Sequence, residues 1–196
     1  MTKLKIYGLV GMAMAGFASP VWAGTVTVTA GTTYQTISGF GASSQWVESK
    51  ITSSLANTFW TDDSSQPPTS QVNGDVGFSI LRIGIDDSGN GNWGTACGSA
   101  TQALKINPNV RIFGSPWSPP GKWKNNGKTA GNNTGGDNGN PGSSTDQLIA
   151  GDYGAYATYL TGFVSACKNT YGFTPYAVSV QNEPDYDPSY DACLWS

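Results

Sequence analysis

Gly77-Phe78-Ser79-Ile80-Leu81-Arg82-Ile83-Gly84-Ile85-Asp86 is the stretch on which the fold turns. Its apolar density predicts a strand over residues 78–86, preceded by the polar connection 62–73. Side chains alternate across a strand, so Leu81, Ile83 and Ile85 share one face while Phe78, Ile80, Arg82, Gly84 and Asp86 share the other. An arginine on an inner face is costly unless a carboxylate pairs with it. Working outward, residues 110–114 and 176–181 read as further apolar strands, and the second of these carries Ser179, Gln181 and Glu183 on the face opposite Val178 and Val180. Helical spacing fills the intervals at 47–59, near 100–106, and most clearly after Asp152. There Tyr153, Tyr156, Ala157, Leu160, Phe163, Val164 and Cys167 recur every three or four residues, Asp152 can cap the start, and Gly172 with Pro175 ends the run. Alternating strands and helices with near-continuous apolar strands predict a parallel sheet covered by helices. A doubly wound sheet and a (β/α)₈ barrel both fit that order. The inward-facing Arg82 and Glu183 favour the barrel, at whose mouth the two could meet.

Composition narrows the chemistry. The chain has 196 residues, no histidine, and two glutamates, Glu48 and Glu183. Catalytic triads with histidine, histidine metalloprotease motifs and histidine-bearing zinc sites are therefore excluded. No metal is expected, and no cofactor. The glycine-rich stretch 127–142 lacks the lysine-serine ending of a phosphate loop, and Gly39-Phe40-Gly41 followed by Ala42-Ser43-Ser44 is a poor dinucleotide fingerprint. Arg82 and Arg111 are the only arginines and the lysines are scattered, so no nucleic-acid partner is expected. What survives is carboxylate chemistry. Its best-known use is glycoside hydrolysis, where two carboxyl groups flank one sugar bond. Glu183, set at the tip of a strand, is the candidate acid, whereas Glu48 falls on a predicted helix.

Residues 1–23 read as a secretory signal: Lys3 and Lys5 precede an apolar run at 6–17, and Val21-Trp22-Ala23 supplies a cleavage site. That run is well short of the roughly 20 residues of a membrane span. The mature protein is expected to be secreted and free of the membrane. Of the three cysteines, Cys167 falls on the apolar face of a predicted helix and reads as a packed thiol, while Cys97 and Cys193 are read in loops after successive strands, where a bridge between them is one option and free thiols the other. Residues 26 and 28 and the run 34–37 read as short strands. The Gly/Asn-rich segment 125–144 reads as a flexible loop and carries the sequon Asn132-Asn133-Thr134.

Four motifs in succession resemble glycoside hydrolase family 30: Gly39-Phe40-Gly41, then Gly77-Phe78-Ser79-Ile80-Leu81-Arg82-Ile83, then Gly114-Ser115-Pro116-Trp117-Ser118-Pro119-Pro120, and last Val178-Ser179-Val180-Gln181-Asn182-Glu183-Pro184-Asp185-Tyr186. They correspond to the first four strands of that family's barrel. The resemblance implies the N-terminal half of a (β/α)₈ barrel over residues 38–196, with residues 24–37 opening a flanking β-sandwich. It also implies that Glu183 is the general acid/base, that Asn182 bonds the sugar 2-hydroxyl, that Arg82 neighbours the nucleophile, and that Trp117 is part of a sugar platform. The wording is closest to secreted xylan-cleaving members, so plant cell-wall xylan or glucuronoxylan is the implied polysaccharide partner; glucosylceramide and β-1,6-glucan are the family's other substrates. The nucleophilic glutamate lies on the family's seventh strand, so a chain carrying four strands is expected to be an inactive fragment in which Glu183 stays ionised.

Bland readings stand beside these. Arg82 can be a purely structural buried charge. Trp46 and Trp93 divide evenly between cleft wall and packing, and Trp60 and Trp195 read as structural. A carbohydrate-binding protein that stacks sugars on tryptophan without cleaving them is the rival function. Pro184 disfavours helical geometry at Glu183 and predicts an extended strand tip. Strict alternation turns Asn182 away from Glu183, so both reach one sugar only if the strand distorts at its end.

Overall fold

The computed structural model describes residues 27, 31, 34–62, 75–132 and 146–195. The predicted signal at 1–23 and the strand positions Val26 and Val28 lie outside these residues. Contacts divide the chain into two units, 1–36 and 37–196. In the first, Tyr34 is 90% exposed. The strand expected at 34–37 is absent: these residues pair with no other segment among those described, and without a ladder partner an alternating pattern has nothing to hold it extended.

The second unit is built on four parallel strands, β1 (Gly41–Ser43), β2 (Ile80–Ile85), β3 (Arg111–Pro116) and β4 (Ala177–Val178), in the spatial order β1-β2-β3-β4. A doubly wound sheet reverses its order at a switch point. This one does not. Helices α1 (Ser53–Trp60), α2 (Gly94–Ile106) and α3 (Tyr153–Asn169) alternate with the strands. Leu81, Ile83, Ile85 and Ile112 bury into one cluster together with Trp60 of α1, Cys97, Ala100 and Ala103 of α2, and Phe163 and Cys167 of α3. All three helices therefore feed the same core against Leu81, Ile83 and Ile85. That is the winding of a (β/α) barrel, and burial of each large aliphatic there contributes about 1.5–3 kcal/mol.

Two glycines show how differently the two faces are filled. Ile83 pairs with Gly114 and Gly84 with Ser115. A Cβ on Gly114 would lie 2.6 Å from Cε1 of Phe163, so α3 seats its ring in the space left by a missing side chain. A Cβ on Gly84 would overlap the Gln45 amide, so the opposite face is occupied by polar groups from the β1 loop.

Several elements differ from expectation. The helix predicted at 47–59 divides into a 3₁₀ turn at Glu48–Lys50 and α1, because Thr52 interrupts it as a cap: its Oγ1 accepts from the Leu55 amide at 3.3 Å. Helix α2 starts at Gly94, earlier than its apolar pattern suggests, so Cys97 is helical and not in a loop. Asp152 does occupy the N-cap of α3 but makes no side-chain capping bond. The ladder of β4 is only two residues long, although Ser179 N donates to Gly114 O and Asn182 N to Pro116 O, each at 2.9 Å, and keep the chain beside β3. Residues 125–132, the described part of the glycine-rich segment, form a bonded turn in which Asn126 Nδ2 donates to Ala130 O at 2.9 Å and Asn126 Oδ1 accepts from the Lys128 amide at 3.0 Å.

Candidate active site

Strand β2 and the segments that follow β3 and β4 bring Arg82, Trp117, Asn182 and Glu183 to one place. Arg82 Nη2 donates to Asn182 Oδ1 at 2.6 Å and to Ser115 Oγ at 2.9 Å, and Ser179 Oγ donates to Ser115 Oγ at 2.7 Å. The guanidinium carbon lies 4.2 Å from the centroid of the Trp117 ring, a cation–π contact. Burial lowers the Arg82 pKa, and the nearby Glu183 charge opposes that shift. Arginine remains charged across any such change. The direct meeting of Arg82 with Glu183 expected from alternation is replaced by a relay. Asn182 turns its carbonyl oxygen to the arginine, which leaves Nδ2 to donate to Glu183 Oε2 at 3.3 Å.

The strand end does distort. Glu183 has φ +48°, in the left-handed region, where the extended tip predicted from Pro184 would have a negative φ. The cause is local: Tyr186 N donates back to Glu183 O at 3.1 Å in a turn, and Trp195 N donates to Pro184 O at 2.8 Å. With that one residue turned, Asn182 and Glu183 face each other. Tyr190 OH donates to the same carboxylate oxygen at 3.2 Å, and the edge of its ring meets Tyr186 at a centroid distance of 6.4 Å. Glu183 is exposed, so its carboxylate is open to a ligand on the side the asparagine and tyrosine do not cover.

Trp46, also left-handed at φ +65° and 63% exposed, sets its ring 4.9 Å from that of Trp117 at 55°. Arg82, Trp117 and Trp46 thus form a continuous cation–ring–ring wall. Trp93 is not in it. It lies at the start of α2 with its ring 5.4 Å from Tyr159 and 5.8 Å from Phe163, packed onto the core. Trp60 is buried, and Trp195 packs on Tyr153 and Tyr156.

Beneath the Glu183 loop lies a buried polar cluster that the sequence did not announce. Lys124 Nζ is 2.5 Å from Asp146 Oδ1 with both side chains fully buried; it also donates to Thr129 O at 2.8 Å and to Ala192 O. Burial pushes the Asp146 carboxyl up to about 6, against the pull of Lys124, and a hydrogen bond to Asp187 adds to the rise. Asp187 Oδ1 accepts from the Asn132 amide at 2.6 Å. Nearby, Asp87 is pushed up to about 7 by burial, then by the charge of Asp191 and the hydrogen bond it shares with it. These contacts moor the segment carrying Tyr186 and Tyr190. Lysines and aspartates far apart in sequence give no spacing signal, and Tyr190 sits in a loop where periodicity says nothing, so neither was readable beforehand.

Residues 96–192 match the Glycosyl hydrolase family 30 TIM-barrel domain. Over 172 residues, 84% of its length, the chain is 35% identical to the glucuronoxylanase XynC of Bacillus subtilis. The chain belongs to glycoside hydrolase family 30. It spans about a third (34%) of XynC. Among solved structures, the family 30 subfamily 8 xylanase Xyn30A from Clostridium acetobutylicum superposes with a TM-score of 0.61 at 31% identity, covering 85% of this chain and 38% of that one. The endo-1,6-β-D-glucanase neg1 of Aspergillus fumigatus is 38% identical over a shorter stretch of 97 residues, 48% of this chain and 20% of that one. For a family 30 barrel, the four strands described here place Glu183, Asn182, Arg82, Trp117 and Trp46 together at the strand ends where barrel enzymes build their sites.

Proposed function

We propose that this family 30 chain carries the acid/base half of a retaining glycoside hydrolase acting on β-1,4-xylan, with glucuronoxylan as its substrate. The observation that carries the reading is the Arg82–Asn182–Glu183 relay. It fixes one carboxylate oxygen of Glu183 with donors from Asn182 and Tyr190 and leaves the other for the glycosidic oxygen. Glu183 in its protonated form donates to the departing sugar, and as the carboxylate it later takes a proton from the incoming water. A retaining reaction also needs a second carboxyl group about 5–5.5 Å away to attack the anomeric carbon. In the proposed scheme it comes from a later strand of the family's barrel, and Arg82 lies beside it. Trp117 and Trp46 offer ring faces to the sugar, while Asn182 is close enough to bond a hydroxyl in exchange for its contact with Glu183.

Xylan is favoured because the likeness to XynC runs over 84% of the chain, whereas the likeness to the β-1,6-glucanase covers 48%. The glucanase reading stands second on its higher local identity. The polysaccharide is met outside the cell if residues 1–23 act as the export signal; among the described residues no helix is long and apolar enough to cross a membrane.

The test joins residues 37–195 to strands five to eight of XynC and assays the folded chimera on glucuronoxylan and on β-1,6-glucan. Hydrolysis of xylan that falls by about 10²–10⁴-fold in the Glu183→Gln chimera supports the assignment. Xylan binding that persists in both forms without any cleavage leaves a carbohydrate-binding protein instead.

A further inference from the structure

We infer that Cys97 and Cys167 form a disulfide that staples α2 to α3 when the chain folds under oxidising conditions. The two sulfurs stand 3.5 Å apart, on different helices and 70 residues apart in sequence. Both side chains are fully buried in the main core. Closing the pair to a bond of about 2.05 Å asks for a side-chain rotation and a small approach of the two helices. Cys193 is not the partner. It is buried in a second cluster with Leu148 and Tyr156, where its Sγ faces Leu194 O at 3.7 Å. The bridge between Cys97 and Cys193 entertained from the sequence fails because Cys97 sits on α2 facing α3.

The oxidant is a disulfide, either glutathione disulfide or that of a thiol oxidase. One cysteine thiolate attacks a sulfur of the donor and expels the first donor thiolate, leaving a mixed disulfide. The other then attacks the cysteine sulfur of that mixed disulfide, forms the Cys97–Cys167 bond and expels the second donor thiolate. Two thiols lose two protons and two electrons, and the donor disulfide becomes two thiols. Because neither sulfur is exposed in the folded chain, the exchange belongs to folding, before α3 closes over α2. The finished bond is then shielded from reductants.

The staple has a reach beyond its own helices. Tyr156 OH of α3 donates to Val180 O at 2.8 Å, and Tyr159 OH donates to Asp86 O at 2.8 Å. Fixing α3 against α2 therefore steadies the backbone leading into Glu183 and the segment that follows β2. Closing a loop of this length stabilises a chain chiefly by restricting its unfolded state.

The experiment refolds the full chain with a glutathione/glutathione disulfide mixture and, in parallel, fully reduced. The expected oxidised product is about 2 Da lighter, maps to a peptide pair joining Cys97 to Cys167, keeps Cys193 free for alkylation after denaturation, and melts about 5–10 °C above the reduced form. Cys193→Ala retains the mass loss, and Cys97→Ala and Cys167→Ala each abolish it. Three alkylatable thiols in the protein refolded with glutathione disulfide, or a mapped bridge containing Cys193, would overturn the inference.

Discussion

Arg82 is held by two neutral side chains and a ring, and Glu183 reaches it through Asn182. The charge therefore organises the amide, and the amide presents the acid. Replacing Arg82 with Met removes both bonds and leaves Asn182 Oδ1 short of its donor, while Ser115 Oγ keeps the bond from Ser179. A loss of about 2–3 kcal/mol is expected from urea unfolding, with the slope unchanged. Arg82→Lys should recover only part of it, since an ammonium can meet both oxygens from one nitrogen, as Nη2 does, but lacks the flat guanidinium that lies over the Trp117 ring. The inward direction of Arg82 and Glu183 was legible because alternation on a strand is strict. Their linkage was not, since it depends on the left-handed turn at Glu183, which no period encodes.

At the scale of elements, β3 and α3 meet at a tight joint. Phe163 fills the position where Gly114 has no side chain. Gly114→Ala should destabilise by about 1–3 kcal/mol through overpacking, and Phe163→Leu in the same chain should relieve part of that cost. A double-mutant cycle read by thermal or urea unfolding checks the coupling; additive losses would mean that the ring has room to move. Helix α3 was legible because its apolar stripe is long and uninterrupted. The break before α1 was not, since Thr52 suits a helix interior poorly but a cap well, and only the Leu55 contact decides between the two. The residues 34–37 failed for the opposite reason: their alternation is real, yet no strand among the described residues is paired with it.

For the molecule as a whole, the buried acids set both its cohesion and its response to pH. Lys124 joins the turn at 125–132 to Asp146 and to Ala192. Lys124→Met leaves Asp146 buried without its cation, and a loss of about 3–5 kcal/mol is expected, measured as the fall in unfolding free energy. The folded chain holds Asp87 protonated up to about pH 7 and Asp146 up to about pH 6. An unfolded aspartate ionises near a pH of about 4. Between those limits the native state binds more protons than the unfolded one, so these two groups add stability at low pH that is lost as pH rises through about 6 to 7. Urea midpoints taken from pH 4 to 8 should show a smaller decline in Asp87→Asn than in the parent chain. An equal decline in both would remove Asp87 as a source of the dependence.

The left-handed backbone at Glu183 sets durability against use at a single codon. A side chain held there costs about 1 kcal/mol or more that glycine would not incur. A library randomised at position 183 and screened only for survival of heating should drift toward glycine and asparagine. The same library, built into a complete barrel and screened for release of sugar, should return to glutamate, so the two winners diverge at a residue whose backbone disfavours a side chain.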